Sequence, residues 1–282
     1  MDKREAGRLA TQVDAVIEQI RGRLPAGQAE GVCEFARRFF AQVAAEDLED
    51  LPVADLYGAV LSQWHFVARR KAGSKVRVFN PRLDEHGWEC PHTVVEIAGE
   101  DMPFLVDSIT MEVARQGLTL HLIIHPVMNV ARDADGSFVR VAGHDEQEAG
   151  IGFESIMHLE VDRRTDAGDL AALQEGIEHV LGDVRAAVGD WSTMRARLAE
   201  ITAGMAAVPA SIDAGEAQEV RAFLDWLAAD NFVLLGCRDY ALVEGGEGNE
   251  LRIVPESGLG LLRGEGEDGQ SRSFAALPPQ LR

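Results

Sequence analysis

HTVVEIAGEDMPFLVDSITMEVARQGLTLHLIIHPVMNVARD, residues 92–133, reads strand, tight turn, helix, short loop, strand. Thr93, Val95 and Ile97 alternate with Val94, Glu96 and Ala98, and Gly99 closes the run, so it is predicted as a strand. Glu100 and Asp101 bring acceptors to a helix start, and Pro103 suits a first helical turn, where its missing N–H costs nothing. Leu105, Ile109 and Val113 recur every four residues, giving one apolar helical face expected to pack on Val95, Leu122 and Ile124 of the sheet. Gly117 fits the C′ position of a helix end. Leu118 to Val130 then reads as one long strand dense in Leu, Ile and Val.

This order resembles the opening half of an ACT domain, a ferredoxin-like βαββαβ module. The resemblance rests on the turn Asp101, Met102, Pro103, Phe104, Leu105 and on Arg115 to Thr119 before the second strand. More of the chain resembles the N-terminal region of the large bacterial NAD-dependent glutamate dehydrogenases, which are several times longer. The runs that carry it are PFLVDS (Pro103 to Ser108), Gly117 to Pro126, FVLLGCRDY (Phe232 to Tyr240) and SGLGLLR (Ser257 to Arg263). Cys237 stands where that family usually carries Tyr. The resemblance implies a parent enzyme that oxidises L-glutamate to 2-oxoglutarate with NAD.

The 282 residues carry a formal charge of -20, with a pI near 4.7. Such a field repels nucleic acid and anionic membrane surfaces, so neither is expected as a partner. No stretch reaches the ~18 uncharged apolar residues that a spanning helix requires. The first residues lack the apolar run of a signal peptide. Three widely spaced cysteines, Cys33, Cys90 and Cys237, form no disulfide framework, and the expected setting is the reducing cytoplasm.

Outward from the central unit, residues 1–72 read as an N-terminal helical segment of three amphipathic helices, broken near Pro25 and Pro52. They form a small bundle or a layer on the sheet that follows. Arg69, Arg70 and Lys71 read as a solvated helix C-terminus, where cations complement the dipole. Residues 75–190 form the ACT-like α/β domain: a strand over Lys75 to Asn80, the central unit, a hairpin from Val127 to Val141, a strand over Phe153 to Asp162 and a helix over Leu170 to Val188. No fourth strand of the module is visible after that helix. Residues 191–263 read as a helical segment with a β-hairpin, and 264–282 as a glycine- and proline-bearing linker toward downstream domains. The fold class is therefore α+β, and the chain reads as an N-terminal piece of a longer protein.

No catalytic constellation is present, and no cofactor is expected in these residues. Gly258-Leu259-Gly260 is the nearest approach to a dinucleotide loop, but it lacks the third glycine and leads into no helix. Asp101, Met102, Pro103 and Phe104 are the candidate ligand-binding residues, because the resemblance implies an amino-acid site at this turn. In ligand-binding ACT domains a glycine stands where Phe104 does here, and its missing Cβ lets backbone N–H groups approach a carboxylate. A phenyl ring there is expected to fill that space. His121 and His125 share a strand face, with Cys90 or His92 nearby in sequence, yet they lack the paired spacing of zinc ligands. They are read as hydrogen-bonded histidines at a sheet surface or subunit contact, and no metal is assigned. The expected role is regulatory or oligomerising, with downstream domains of the same chain and further copies as partners. The alternative is an allosteric module that senses an amino-acid effector.

Overall fold

The computed structural model describes residues 3–48, 51–205, 213–245 and 248–264. The chain divides into two compact units, the first ending at Leu181 and the second beginning at Gly182.

In the first unit, the helices α1 (Lys3–Arg23), α2 (Ala26–Phe39), α3 (Ala45–Leu48) and α4 (Val53–Val67) precede a six-stranded antiparallel sheet. Its strands are β1 (Lys75–Phe79), β2 (Thr93–Glu100), β3 (Leu120–Ile124), β4 (Val127–Arg132), β5 (Phe138–Val141) and β6 (Ile151–Val161). The short helix α5 (Leu83–His86) lies in the loop after β1, and α6 (Leu105–Arg115) links β2 to β3. The spatial order is β1-β2-β6-β4-β5, with β3 also beside β6. A ferredoxin-like module sets its fourth strand next to its first, and here β1 holds that place beside β2. The missing strand therefore enters from before the unit, not after its last helix.

The predicted long strand is two, separated at His125-Pro126. Proline has no N–H to give the ladder. The pairing with β6 nevertheless keeps one register on both sides of the gap: Ile124 opposes His158 and Val127 opposes Ser155. Alternation along β2 and β6 sends Ala98, Ile156 and His158 toward α1, α2 and α4, where Phe35, Phe39, Phe40, Trp64 and Phe138 form an aromatic cluster. The pair Trp64 and Phe138, 4.9 Å apart edge to face, adds about 0.5 to 1.5 kcal/mol beyond the area it buries. The helical segment is thus a layer on the sheet.

Leu105, Ile109 and Val113 of α6 are buried as expected. Two of the sheet residues expected opposite them are not there: Leu122 and Ile124 belong to the core formed with the N-terminal helices. A register shift between Leu120 and Leu122 inverts the face that simple alternation assigns. The helix ends as predicted, with Gly117 at φ 69 and the Leu118 N–H reaching the Val113 carbonyl at 3.1 Å, a Schellman closure. Arg70 is not a solvated cation. It and Arg132 clamp the buried Glu154 carboxylate at 2.6 to 2.8 Å.

One helix, α7 (Ala167–Gly204), joins the helix predicted over Leu170 to Val188 to the start of the helical segment predicted from Trp191, and the division between the units falls inside it. At Gly176 an added Cβ would meet the Glu112 carboxylate at 2.1 Å, so glycine permits α7 to approach α6 this closely. The second unit adds α8 (Ala214–Trp226), capped by the Asp213 carboxylate on two backbone N–H groups, and a wide π-type turn at Leu227–Asn231. Strand β7 (Gly236–Cys237) pairs with β10 (Leu259–Gly260), while β8 (Tyr240–Gly245) and β9 (Gly248–Ile253) form a hairpin. The Gly258 to Gly260 run is thus a strand and turn: the Gly260 N–H donates to Asp190 at 2.8 Å, and Arg263 pairs with the same carboxylate. The predicted linker, apart from Gly264, lies outside the described residues.

Candidate functional site

Of the places where polar side chains gather in the first unit, two bear on a ligand site. One is the turn between β2 and α6. Helix α6 begins only at Leu105, two residues beyond the predicted Pro103, and no side chain caps it. Asp101 is engaged elsewhere: its carboxylate accepts from the Ser155 hydroxyl, whose oxygen lies 3.0 Å from His125 Nε2. Burial pushes His125 below its ordinary value, against the opposing pull of the Asp101 charge. Phe104 holds φ 69, ψ 5, the left-handed conformation that glycine adopts freely. Its side chain is about half exposed (48%), so the ring does not occupy the interior space expected of it. The backbone here follows the path a glycine would take, with an aromatic ring at the surface instead.

The other place lies between the loop before β2 and the β6 strand. The pairing of Val94 with Glu160 sets His92 diagonally across from that carboxylate on one face. His92 Nδ1 lies 2.7 Å from Glu160 Oε2, and the Cys90 thiol donates to the same oxygen at 3.1 Å. The donor atoms of Cys90, His92 and Glu160 all fall within 4.8 Å of one another. Burial alone would raise the Glu160 carboxyl, but His158, His92 and Cys90 hold it down at about 2. Burial, with the nearby Glu160 charge, pushes the Cys90 thiol up to about 12. The His121 ring stacks on that of His92 at 4.1 Å and reaches Asp162 at 2.8 Å. His121 and His125 therefore do not converge on a common point. Sequence reasoning named Cys90 and His92 only as neighbours of those two. It missed Glu160, which lies 70 residues from Cys90 and is brought in by strand register alone.

Beside this cluster opens a cavity of about 770 Å³, lined among others by Asp55, Glu89, Cys90 and Arg163. Neither place holds a nucleophile–base pair with an oxyanion donor set.

A helix-backed antiparallel sheet with the β2-α6-β3 unit and a long helix after β6 is an ACT-type α+β domain. The family model "Glutamate dehydrogenase, ACT1 domain" matches residues 35–177, and the chain belongs to that family. An NAD-specific glutamate dehydrogenase of Halomonas elongata is 41% identical over 248 residues, which is 87% of this chain and 15% of the relative. One from Pseudomonas aeruginosa is 36% identical over 230 residues, 81% of this chain and 14% of the relative. A third, from Mycobacterium tuberculosis, is 28% identical over 218 residues, covering 76% and 13%. The chain thus spans about a seventh of the length of the curated relatives it matches. Among the described residues, no helix is long and apolar enough to cross a membrane.

Proposed function

We propose that this chain is the non-catalytic N-terminal portion of a large cytoplasmic NAD-dependent glutamate dehydrogenase, serving regulation and oligomerisation. In this reading the whole protein deaminates L-glutamate oxidatively to 2-oxoglutarate, with NAD bound by domains downstream. The observation that carries the reading is the exposed apolar surface of the second unit. Phe223, Trp226, Phe232, Val233, Leu235 and Leu242 are each 46 to 63% exposed. Six large apolar side chains open to solvent in one small unit fit contact with other domains or copies. Sedimentation equilibrium tests the oligomeric part. The mass is expected to exceed one 30.6 kDa chain and to fall toward it in Trp226→Asp. A concentration-independent monomer contradicts self-association.

The second reading is an amino-acid sensor at Asp101, Met102, Pro103 and Phe104. It is favoured by the left-handed backbone of Phe104 and the exposure of its ring, which leave the turn less obstructed than its sequence suggests. Asp101, already satisfied by Ser155 and adding negative charge against a ligand carboxylate, weighs against it.

A further inference from the structure

We infer that Cys90, His92 and Glu160 form a binding site for a soft-to-borderline divalent cation of the zinc class. One thiolate sulfur, one imidazole nitrogen and one carboxylate oxygen are a donor set that zinc accepts. The three converge from two places that the fold holds together. Cys90 and His92 flank Pro91 at the mouth of β2, and Glu160 stands on the neighbouring strand β6. Their donor atoms lie 2.7 Å (His92 to Glu160) and 3.1 Å (Cys90 to Glu160) apart, and all within 4.8 Å. Ligands around one tetrahedral ion at about 2.0 to 2.3 Å stand about 3.3 to 3.8 Å apart, so these three take up an ion with shifts of about an ångström.

A second, independent observation points to the same place. His158 is fully buried, and neither ring nitrogen has a hydrogen-bond partner. Its Nε2 stands 3.6 Å from the other oxygen of Glu160, an ion-pair distance too long for a hydrogen bond. Leaving such a group unsatisfied is costly. Beside a carboxylate that ligates a metal, His158 is the outer partner such carboxylates require. Trp88 Nε1, likewise buried and unpartnered, belongs to a ring that packs against His158.

An ion also needs a path in. The cavity beside the cluster is lined by Cys90 itself and by Asp55, Asp84 and Glu89, with Arg82 and Arg163 as the cations. Arg82 is paired to Asp84, and Arg163 is turned to the Cys90 carbonyl. Three protein ligands leave the fourth position of a tetrahedral ion to solvent from this cavity. A cation there adds a polar link between the loop from Pro81 to Pro91 and strand β6, beside the packing of Trp88 and Cys90 on Val94 of β2.

The test is cobalt substitution in the reduced 282-residue chain. Titration with Co²⁺ in the presence of a weak competing chelator is expected to saturate at one equivalent. It should give the strong visible bands of a tetrahedral site and a near-ultraviolet thiolate-to-cobalt charge-transfer band, both removed by Zn²⁺. The band should persist in the double variant Cys33→Ser/Cys237→Ser, where Cys90 is the remaining thiol, and vanish in Cys90→Ser. His92→Ala should lower Co²⁺ affinity at least about 10-fold, the smallest effect typical even of outer-sphere changes. Circular dichroism checks that each variant is folded. Should Cys90→Ser not fold, the double variant decides alone. The proposal is overturned if the folded wild-type chain gives no charge-transfer band. It is equally overturned if the band survives in Cys90→Ser or disappears in the double variant, or if only weak octahedral spectra from scattered surface carboxylates are seen.

Discussion

Glu154 is a buried charge on the sheet face that the N-terminal helices cover. It is buried, and burial alone would raise its carboxyl, but the guanidiniums of Arg132 and Arg70 outweigh that and hold it below its ordinary 4.5. Both arginines also serve the backbone: Arg132 donates to the carbonyls of Val67 and Gly136, and Arg70 to that of Gly73. Glu154→Gln would leave two largely buried cations without their counter-charge, and loss of one member of a buried pair costs about 3 to 5 kcal/mol. Urea midpoints with an unchanged slope should report that loss. The sign of the pH dependence follows from the depressed value. A carboxylate whose folded pKa lies below its unfolded one stabilises the chain above about 4.5 and loses that contribution as pH falls below it. Wild-type stability should therefore decline on acidification below pH 4.5, and the decline should be shallower in Glu154→Gln. Equal slopes in the two proteins would remove Glu154 from the account.

At the scale of elements, α6 tests the packing. Ile109 is fully buried, and Ile109→Ala should cost about 2 to 4 kcal/mol, read from the denaturant midpoint. An unchanged midpoint would mean that this face of the helix does not carry the core. The existence and length of α6 were legible because Leu105, Ile109 and Val113 repeat locally and Gly117 marks the stop. The sheet residues across from it were not. Alternation predicts a face only if register is continuous, and the shift between Leu120 and Leu122 turned Leu122 and Ile124 to the other side. Nor was the fourth strand position legible after α7, since β1 fills it from upstream and strand adjacency is a non-local property. The same limit hid the cluster at Cys90. The spacing of Cys90 and His92 suggests little until the pairing of β2 with β6 adds Glu160. At the β2–α6 turn, residue identity implied a blocking ring at Phe104. Its backbone conformation, which no local pattern announces, places that ring half in solvent.

At the scale of the whole molecule, the chain has a built core, a layer of helices on its sheet, and no dinucleotide loop among its motifs. The purified chain should form no NADH from glutamate above a boiled control, and measurable turnover would place catalytic residues where none is seen. The central claim is that it acts through contacts and not by holding an amino acid at the β2–α6 turn. Calorimetric titration with glutamate, aspartate and the branched-chain amino acids tests that claim most directly. A ligand that binds only the folded chain raises its stability by about 2.7 kcal/mol at a hundredfold excess over its dissociation constant, so a thermal shift provides a second readout. No saturable heat and no thermal shift are expected at millimolar concentration. Saturable binding of any of these amino acids that is lost in a folded Asp101→Ala variant would contradict it and make the turn a sensor.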